Sequence, residues 1–293
     1  MSIPIKIAIQ GGPASFHDTA ARQLFGEAVE VLPCATFRQL CDSLQQQKAD
    51  FAVMAIENLL VGSLLTNYSL LQEYDFQVWE ELWLPIQQNL MALPGQQLQD
   101  ITTVMSHPVA LQQCAAFLTQ HSELQPQEST DTADSAREIQ EKQLYGVAAI
   151  ASKLAAELYG LEILQANIAD RADNSTRFLL LSRKPRAAVT AETSKVSLIL
   201  QLPLTNGAFN AAINQLNQLQ LHITLLQSLP MPLAHASHYV AVDLECTDEN
   251  QTREAIEAIR PFVQNLKVLG RYPSSPHPLL VSQRKAALHF QQL

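Results

Sequence analysis

The segment 173–182, Asp-Asn-Ser-Thr-Arg-Phe-Leu-Leu-Leu-Ser, places polar side chains directly before an apolar run. The Thr176 hydroxyl can donate or accept a hydrogen bond, and the Arg177 guanidinium can pair with a carboxylate. The apolar run 178–181 predicts a buried strand, which would hold Thr176 rigidly. A fixed hydroxyl beside a cation suits a site for a polar, anionic small molecule.

Four further polar turns follow predicted strands, at points where helices are expected to begin. They lie at 11–18 (GGPASFHD), at 56–63 (IENLLVGS), at 106–108 (SHP) and at 129–132 (STDT). In parallel α/β sheets, ligands bind at the carboxyl ends of strands, where helix N-termini present N–H groups and partial positive charge. Three of these turns are each explained by helix capping, with Ser15 as one N-cap, and the turn at 56–63 is explained by an ordinary surface turn. Together they predict one cleft.

Glu57, Asn58 and His107 are the other polar residues singled out by their positions. Glu57 and Asn58 end an apolar strand, where a site and a surface turn are equally good interpretations. His107 precedes Pro108, which suits the first helical position and keeps the preceding residue extended, as an N-cap must be. A positive helix end disfavours protonation of His107, so it can act as a neutral donor or acceptor, or simply as a cap.

The amino-acid composition limits the kinds of molecule that this chain is expected to bind. The chain has 293 residues and a net charge of −9, which argues against nucleic acid. The N-terminus has no signal-peptide pattern, and no apolar run is long enough to span a membrane. The cysteines show neither CxxC nor metal-finger spacing, which indicates buried, reduced thiols, no metal and a cytoplasmic protein.

The order of predicted elements divides the chain into domains. Residues 1–182 alternate strands and helices, which predicts α/β architecture with a mainly parallel sheet or two such sheets. Residues 183–194 are polar and contain Pro185, as a linker would. Residues 195–273 have the order βαββαβ of a ferredoxin-like unit, and 274–293 form a tail.

At this point the chain resembles the prephenate dehydratase family. Five blocks match in order: GGPASFHDTAA at 11–21, AIENLLVGSL at 55–64, SHPVALQQCAAFL at 106–118, AAIASKLAAELYGLEIL at 148–164 and NSTRF at 174–178. The last is similar to the family's Thr-Arg-Phe signature. The unit at 195–273 resembles the family's C-terminal ACT domain, which senses phenylalanine.

The resemblance implies a two-lobed catalytic domain, like a type II periplasmic binding protein. One lobe would comprise about 1–80 plus 170–182, and the other about 81–169. The chain would leave the first lobe near 79–87 and return near 166–174. It further implies dimers or dimer-based tetramers that use neither metal nor organic cofactor.

The implied reaction removes the ring carboxylate of prephenate as CO2 and the ring hydroxyl as water. Because hydroxide is a poor leaving group, it needs a proton or a strong hydrogen bond. The resemblance makes Thr176 the first candidate for this contact. Glu57 and His107 are the titratable candidates, and Glu57 would need desolvation to serve as an acid.

Substrate contacts also follow from the resemblance. Arg177 would pair with a substrate carboxylate, or would form a structural ion pair across the hinge. Phe178 is expected to pack against the site. The residues expected to orient the substrate are Ser15, Asn58, Asn174 and Ser175.

The ACT resemblance predicts an effector site for L-phenylalanine, with a plain dimerisation module as the alternative. Its residues would be Gly207 and Ala208 at a helix start, with Gln227 and Ser228 facing a subunit mate. The family usually has glycine where this chain has Ala14, and a hydroxyl residue at Leu59. In the ACT unit, Phe209, Asn210, Gln227 and Leu229 also depart from the usual motifs.

Two other functions compete with a prephenate dehydratase. A solute-binding protein would share the two lobes, but it should have a secretion signal and no ACT unit. An arogenate dehydratase acts on a substrate that differs only by an amino group in place of a ketone. The sequence leaves that choice open.

Overall fold

The computed structural model describes residues 4–186, 194–204, 207–230 and 237–278. The strands are β1 (Lys6–Gln10), β2 (Glu30–Cys34), β3 (Phe51–Asn58), β4 (Gly62–Ser63), β5 (Gln77–Pro85), β6 (Asn89–Ala92), β7 (Thr103–Ser106), β8 (Gln125–Glu128), β9 (Val147–Ala151), β10 (Glu162–Gln165), β11 (Ser175–Ser182), β12 (Ser194–Pro203), β13 (His222–Leu229), β14 (Ser237–Cys246) and β15 (Asn265–Pro273). The α-helices are α1 (Phe16–Phe25), α2 (Phe37–Gln45), α3 (Leu65–Glu73), α4 (Pro108–Gln113), α5 (Ala115–Gln120), α6 (Thr132–Lys142), α7 (Lys153–Tyr159), α8 (Ala208–Gln218) and α9 (Glu249–Ile259).

The first lobe is built on a mixed sheet with the order β2-β1-β3-β11-β5, and β4 beside β3. Strands β1, β2 and β3 are parallel, whereas β11 is antiparallel to both β3 and β5. Because β3 and β5 are each antiparallel to β11, β5 runs in the same direction as β1, β2 and β3. The prediction of a mainly parallel sheet is therefore confirmed for this lobe, with β11 and the short β4 as its antiparallel strands. The chain returns from the second lobe along β11, which inserts between β3 and β5.

The second lobe has the sheet order β10-β6-β9-β7-β8, again with both parallel and antiparallel pairs. The chain crosses between the lobes after Pro85 and again before Ser175. The first lobe thus extends to Pro85, beyond the expected boundary near residue 80. The crossings are joined, because the Ile86 backbone N–H donates to the Asn174 carbonyl at 2.9 Å.

The C-terminal domain, as described from Ser194 to residue 278, is a ferredoxin-like unit, as predicted. Its sheet has the order β13-β14-β12-β15, and the neighbouring strands are antiparallel. One sheet face packs on α8 and α9 through residues such as Val242 and Leu216. Most of the expected linker (187–193) and of the expected tail (279–293) lies outside the described residues.

The opposite face of this sheet packs on the first lobe. One buried apolar cluster contains Leu179 and Leu181 of β11 together with Ile199, Leu269 and Tyr272 of the C-terminal domain. A shared core of this kind is less mobile than a tethered module, because separation would expose its apolar surface to water. In the part of the chain that is described, no helix has the length and apolar character needed to cross a membrane.

Gly270 lies where β15 of the C-terminal domain packs tightly against the backbone of β5 in the first lobe. A Cβ atom at Gly270 would lie 2.3 Å from the Val78 carbonyl oxygen, a backbone atom that cannot move aside alone. We therefore expect Gly270→Ala to lower the free energy of unfolding by about 1–3 kcal/mol, as overpacking does. Urea unfolding of the full chain measures this. Gly26→Ala is a poor control because Gly26 has a positive φ, whereas Gly12→Ala is a matched control because Gly12 has no positive φ and an added Cβ would lie in ordinary contact with Asp134 at 3.6 Å. A Gly270→Ala protein as stable as the parent would contradict the close docking.

Candidate active site

A cavity of about 310 Å³ lies between the two lobes of the catalytic domain. All five polar segments predicted from the sequence contribute to it. The lining residues are Gln10, Ser15, Phe16, His17, Phe37, Ala55, Asn58, Val61, Leu64, Ile86, Gln88, His107, Val109, Ala110, Gln113, Thr130, Asp131, Thr132, Thr176 and Phe178. The fold therefore brings distant turns to one site.

Thr176 lies on this cavity with its hydroxyl already oriented. Its Oγ1 accepts a hydrogen bond from the Asn58 side-chain amide at 2.9 Å, and the same amide donates to Asn174 Oδ1 at 3.0 Å. Asn58 Oδ1 in turn accepts from the backbone N–H groups of Leu60 and Val61. Because Asn58 uses both amide hydrogens and its carbonyl, Thr176 acts as an acceptor toward it and keeps its own proton for a ligand.

The strand β11 explains the rigidity of Thr176. It is buried between β3 and β5, where Thr176 pairs with Asn58 on one side and Leu84 on the other. Side chains alternate across a strand, so Thr176 and Phe178 face the cavity while Arg177 faces the C-terminal domain.

Arg177 does not bind in the cleft, which corrects the expectation that it contacts a substrate carboxylate. Its guanidinium lies 2.7 Å from Glu81 and 2.7 Å from Asp243, and it donates to the Tyr272 hydroxyl at 3.0 Å. The alternative, a structural ion pair, fits the contact with Glu81 in the expected crossing segment 79–87, but the contacts also extend to Asp243 and Tyr272 of the C-terminal domain. Only 2 % of Arg177 is exposed.

Glu57 lies on the same face of the sheet as Arg177 and is not among the residues that line the cavity. Its carboxylate lies 3.7 Å from the Arg177 guanidinium. Burial raises the pKa of the Glu57 carboxyl, although Arg177 opposes the shift. The expected role of Glu57 as catalytic acid does not fit this placement, because its side chain points away from the reacting centre.

His107 and Ser15 line the cavity as expected, and both are helix N-caps. His107 Nδ1 accepts from the Val109 backbone N–H at 3.2 Å, so in its neutral form the proton is assigned to Nε2. Ser15 Oγ accepts from the Asp18 backbone N–H at 3.3 Å. The capping predicted for both residues is confirmed, and their contact with substrate stays a prediction.

Asn174 and Ser175 do not line the cavity, although they were expected to contact the substrate. Their carbonyls accept from the backbone N–H groups of Ile86 and Leu59, respectively. Asn174 also accepts from Asn58. Both residues therefore support the shape of the site from behind Asn58.

His17 is a cavity residue that sequence reasoning missed. Its ring packs edge-on against Phe178, with centroids 5.0 Å apart, and its Nε2 accepts from the Ala55 backbone N–H at 3.4 Å. Burial lowers the pKa of His17 to about 3. It is neutral at physiological pH and its neutral ring helps to fix Phe178.

The buried His17 predicts an acid-sensitive fold. Below pH 6.5 an unfolded chain protonates this histidine while the folded chain cannot, so stability falls as the pH decreases. Between pH 7 and pH 5 we expect the parent chain to lose about 2 kcal/mol more than His17→Gln. Urea unfolding at both pH values measures this, and equal losses in the two proteins would contradict a buried neutral His17.

Asp131 is the second residue that sequence reasoning missed, and it is the only acidic residue among the described residues that line the cavity. It caps α6, with Oδ1 accepting from the backbone N–H groups of Ala133 and Asp134. Burial raises the pKa of the Asp131 carboxyl, against these two N–H groups, which favour its ionised form. The sequence showed Asp131 only as an ordinary helix cap.

The described lining contains no arginine or lysine. An anionic ligand must therefore bind through neutral donors, which are side-chain amides, hydroxyls and the N-terminal N–H groups of α1. Such a cavity can orient a small polar molecule and donate a hydrogen bond to an oxygen that gains charge.

The expected effector residues lie in two places. Gly207 and Ala208, at the start of α8, line a cavity of about 590 Å³ within the C-terminal domain. Gln227 and Ser228, on β13, do not line it, and Ser228 is exposed. The two halves of the expected site do not meet within one chain.

The two lobes and the cavity between them define a protein that can bind a small molecule, and a ferredoxin-like domain follows them. The family model described as prephenate dehydratase matches residues 7–186. The chain belongs to the prephenate dehydratase family.

Relatives and solved structures agree with this membership. An arogenate dehydratase/prephenate dehydratase of Arabidopsis thaliana is 32 % identical over 92 % of this chain and 73 % of its own. A bifunctional chorismate mutase/prephenate dehydratase of Enterobacter agglomerans is 31 % identical over 92 % of this chain and 70 % of its own. The structure titled GqqA, a quorum quenching acylase, is 31 % identical with a TM-score of 0.84, over 92 % of this chain and 98 % of its own. A prephenate dehydratase from Arthrobacter aurescens in complex with L-Phe is 22 % identical with a TM-score of 0.83, over 99 % and 100 %, and shares the fold.

Proposed function

We propose that this protein converts prephenate to phenylpyruvate, CO2 and water. The observation that carries the proposal is the Thr176 hydroxyl, held by Asn58 with its proton free, on the interlobe cavity of a prephenate dehydratase family member. Prephenate has a leaving hydroxyl on its ring, and this oxygen is the group that needs such a donor.

The bond changes balance without a cofactor. The C–C bond to the ring carboxylate breaks and CO2 leaves, while its electron pair enters the ring. The C–O bond to the ring hydroxyl breaks, and the departing hydroxide takes up a proton to become water. The ring becomes aromatic, which drives the reaction.

Thr176 donates its hydrogen bond to the departing oxygen as the charge develops. A threonine hydroxyl is too weak an acid to give its proton outright, so a titratable group must complete the transfer. His107 is the candidate that remains on the cavity, and it can give a proton only as an imidazolium, because its neutral Nε2–H can donate a hydrogen bond but is itself too weak an acid. Ser15 and the N–H groups at the start of α1 are placed to bind a carboxylate.

The likeness to a quorum quenching acylase raises amide hydrolysis as another reaction. A threonine nucleophile needs a base within hydrogen-bond reach. Among the described contacts, Thr176 Oγ1 bonds to the Asn58 amide, which cannot take up a proton. The geometry therefore favours donation to a leaving group over nucleophilic attack.

Steady-state kinetics of the purified full chain with prephenate and with arogenate test the proposal. Phenylpyruvate formation from prephenate above the uncatalysed background supports it. A folded protein that turns over neither substrate would contradict it.

Arogenate is a second candidate substrate because Asp131 favours it. Asp131 is the one acidic group in the described lining, and arogenate has an ammonium where prephenate has a ketone. A carboxylate pairs with an ammonium but gains nothing from a ketone.

Asp131→Asn tests which substituent this carboxylate contacts. Asparagine also caps helices well, so the fold is preserved. We expect kcat/KM for arogenate to fall by about 10- to 100-fold and that for prephenate to change by less than about threefold. The matched control is Asp134→Asn, which removes a charge that pairs with Arg137 on the same helix. Equal losses on both substrates would show that Asp131 is only a cap.

Regulation by L-phenylalanine, self-association and a cytoplasmic location are further parts of the proposal. The separation of Gly207 from Ser228 supports an effector site completed by a second copy of the chain. Calorimetry with phenylalanine, and light scattering with and without it, test this. Absence of both heat and inhibition at millimolar phenylalanine would leave a plain dimerisation module.

A further inference from the structure

Four buried charged residues meet where the C-terminal domain docks on the first lobe. Arg177 and Glu81 come from the catalytic domain, and Lys195 and Asp243 come from the C-terminal domain. Each has at most 7 % of its side chain exposed. We call these four residues the interdomain ion network.

The pairing in this network crosses the domain boundary twice. Arg177 lies 2.7 Å from Asp243, and Lys195 lies 2.7 Å from Glu81. Arg177 also pairs with Glu81 within the catalytic domain at 2.7 Å. Each domain thus supplies one cation and one anion, so the network is neutral when the domains are docked.

Neutral groups complete the contacts. The Tyr272 hydroxyl accepts from Arg177 at 3.0 Å and is hydrogen-bonded to Ser197 at 2.5 Å, and Ser197 donates to Asp243 at 2.6 Å. The Ser275 backbone N–H donates to Glu81 at 2.8 Å. Buried ions hold a single geometry best when their remaining hydrogen-bonding atoms are also satisfied.

The interdomain ion network lies directly behind Thr176 and Asn58, on the opposite face of the same strands. On β11, Arg177 follows Thr176, and on β3, Glu57 precedes Asn58. Arg177 is paired with Glu57 in the ladder, and Thr176 with Asn58, one step along. Because neighbouring residues on a strand point to opposite faces, a shift of the Arg177 backbone moves the Thr176 hydroxyl in the cavity.

We propose that Arg177 is a positioning residue through which the C-terminal domain fixes the geometry of Thr176 and Asn58. This inference rests on the proposed dehydratase function. It assigns the arginine of the Thr-Arg-Phe segment to domain coupling, and it makes the docked C-terminal domain part of the support of the active site.

Variants that remove charges from the interdomain ion network distinguish a positioning role, which is seen in kcat, from a stabilising role, which is seen in the melting temperature. Asp243→Asn leaves one unbalanced cation, and Asp243→Asn with Lys195→Gln restores neutrality while removing both cross-domain ion pairs. In the double variant we expect the melting temperature to recover toward that of the parent. We expect kcat on prephenate to stay about 10- to 100-fold below that of the parent, with KM within about threefold, because misplaced catalytic groups lower kcat.

Tyr272→Phe is the variant least able to disturb folding, since it removes one hydroxyl from a buried ring. It should lower kcat about 2- to 30-fold with little change in KM. The matched control is Lys267→Gln, which removes another interdomain contact, to the Tyr74 carbonyl at 2.5 Å, without touching Arg177. Its kcat should stay at the parent value.

The outcomes are distinct. If the parent chain turns over prephenate and the double variant and Tyr272→Phe both keep the parent kcat, the network is structural only and the inference is wrong. An equal loss of kcat in Lys267→Gln would also overturn it, because domain docking in general would then be responsible. A parent chain without dehydratase activity would count against the proposed function instead.

Discussion

Replacing Thr176 by alanine is expected to lower kcat on prephenate by about 10²- to 10⁴-fold, the range that a positioned proton donor contributes. The reason is the leaving group, since without the hydroxyl the departing oxygen loses its donor in the cavity. KM should change little, because the sites that we propose for the substrate carboxylates, at neutral donors and helix N-termini, do not include Thr176. Initial rates over a range of prephenate concentrations measure both constants.

The matched control is Thr176→Ser, which keeps the hydroxyl and the hydrogen bond from Asn58. It should retain kcat within about tenfold of the parent, the remaining loss reflecting the greater rotamer freedom of serine. An alanine variant with near-parental kcat would show that Thr176 does not contact the leaving group. A serine variant as inactive as alanine would show that the methyl group, which packs, is what matters.

Replacing Arg177 by methionine is expected to lower the free energy of unfolding by about 3–5 kcal/mol. Methionine fills similar space but leaves the Asp243 carboxylate buried without its cation. It also removes one of the two cations that pair with Glu81. An unpaired buried charge is much more costly than a missing pair. Urea unfolding of the full chain measures the loss, and the midpoint should shift to lower urea with a similar slope.

Arg38 offers the control for this experiment. It makes a bidentate pair with Glu73 at 2.6 and 2.8 Å, but the side chains are 56 % and 54 % exposed. Exposed pairs contribute about 0–1 kcal/mol, so Arg38→Met should have little effect. Equal losses in the two variants would contradict the claim that burial makes the Arg177 contacts critical.

Much of the site could be predicted because helix starts have local signatures. Ser15 and His107 were identified as caps from their own neighbours, and the structure places both on the cavity. Thr176 was identified from the polar residues ahead of an apolar strand. In each case the signal lies within a few residues, where the backbone rules act.

The roles of Arg177 and Glu57 could not be predicted, because they depend on which face of a strand meets which domain. A fully buried strand shows no polar and apolar alternation, so β11 gives no sign of its two faces. A β-bulge opposite Arg177 and Phe178 further changes which residues of β3 face the cavity. The docking partner, Asp243, is 66 residues farther along the chain.

Some elements depend on their surroundings more than on their own sequence. The segment 108–120 forms two helices because Cys114, with a φ of −114° and a ψ of 24°, interrupts the helix. The strands β8 and β10 have mostly exposed residues and no apolar alternation, so their pairing with neighbours is what makes them strands.

The most direct test of the central claim is the stoichiometry of the reaction of the purified full chain with prephenate. We predict one phenylpyruvate and one CO2 for each prephenate consumed, at a rate that depends on enzyme concentration and is lost in Thr176→Ala. Prephenate that remains unchanged beyond its spontaneous decay, in the presence of folded parent protein, would contradict the claim.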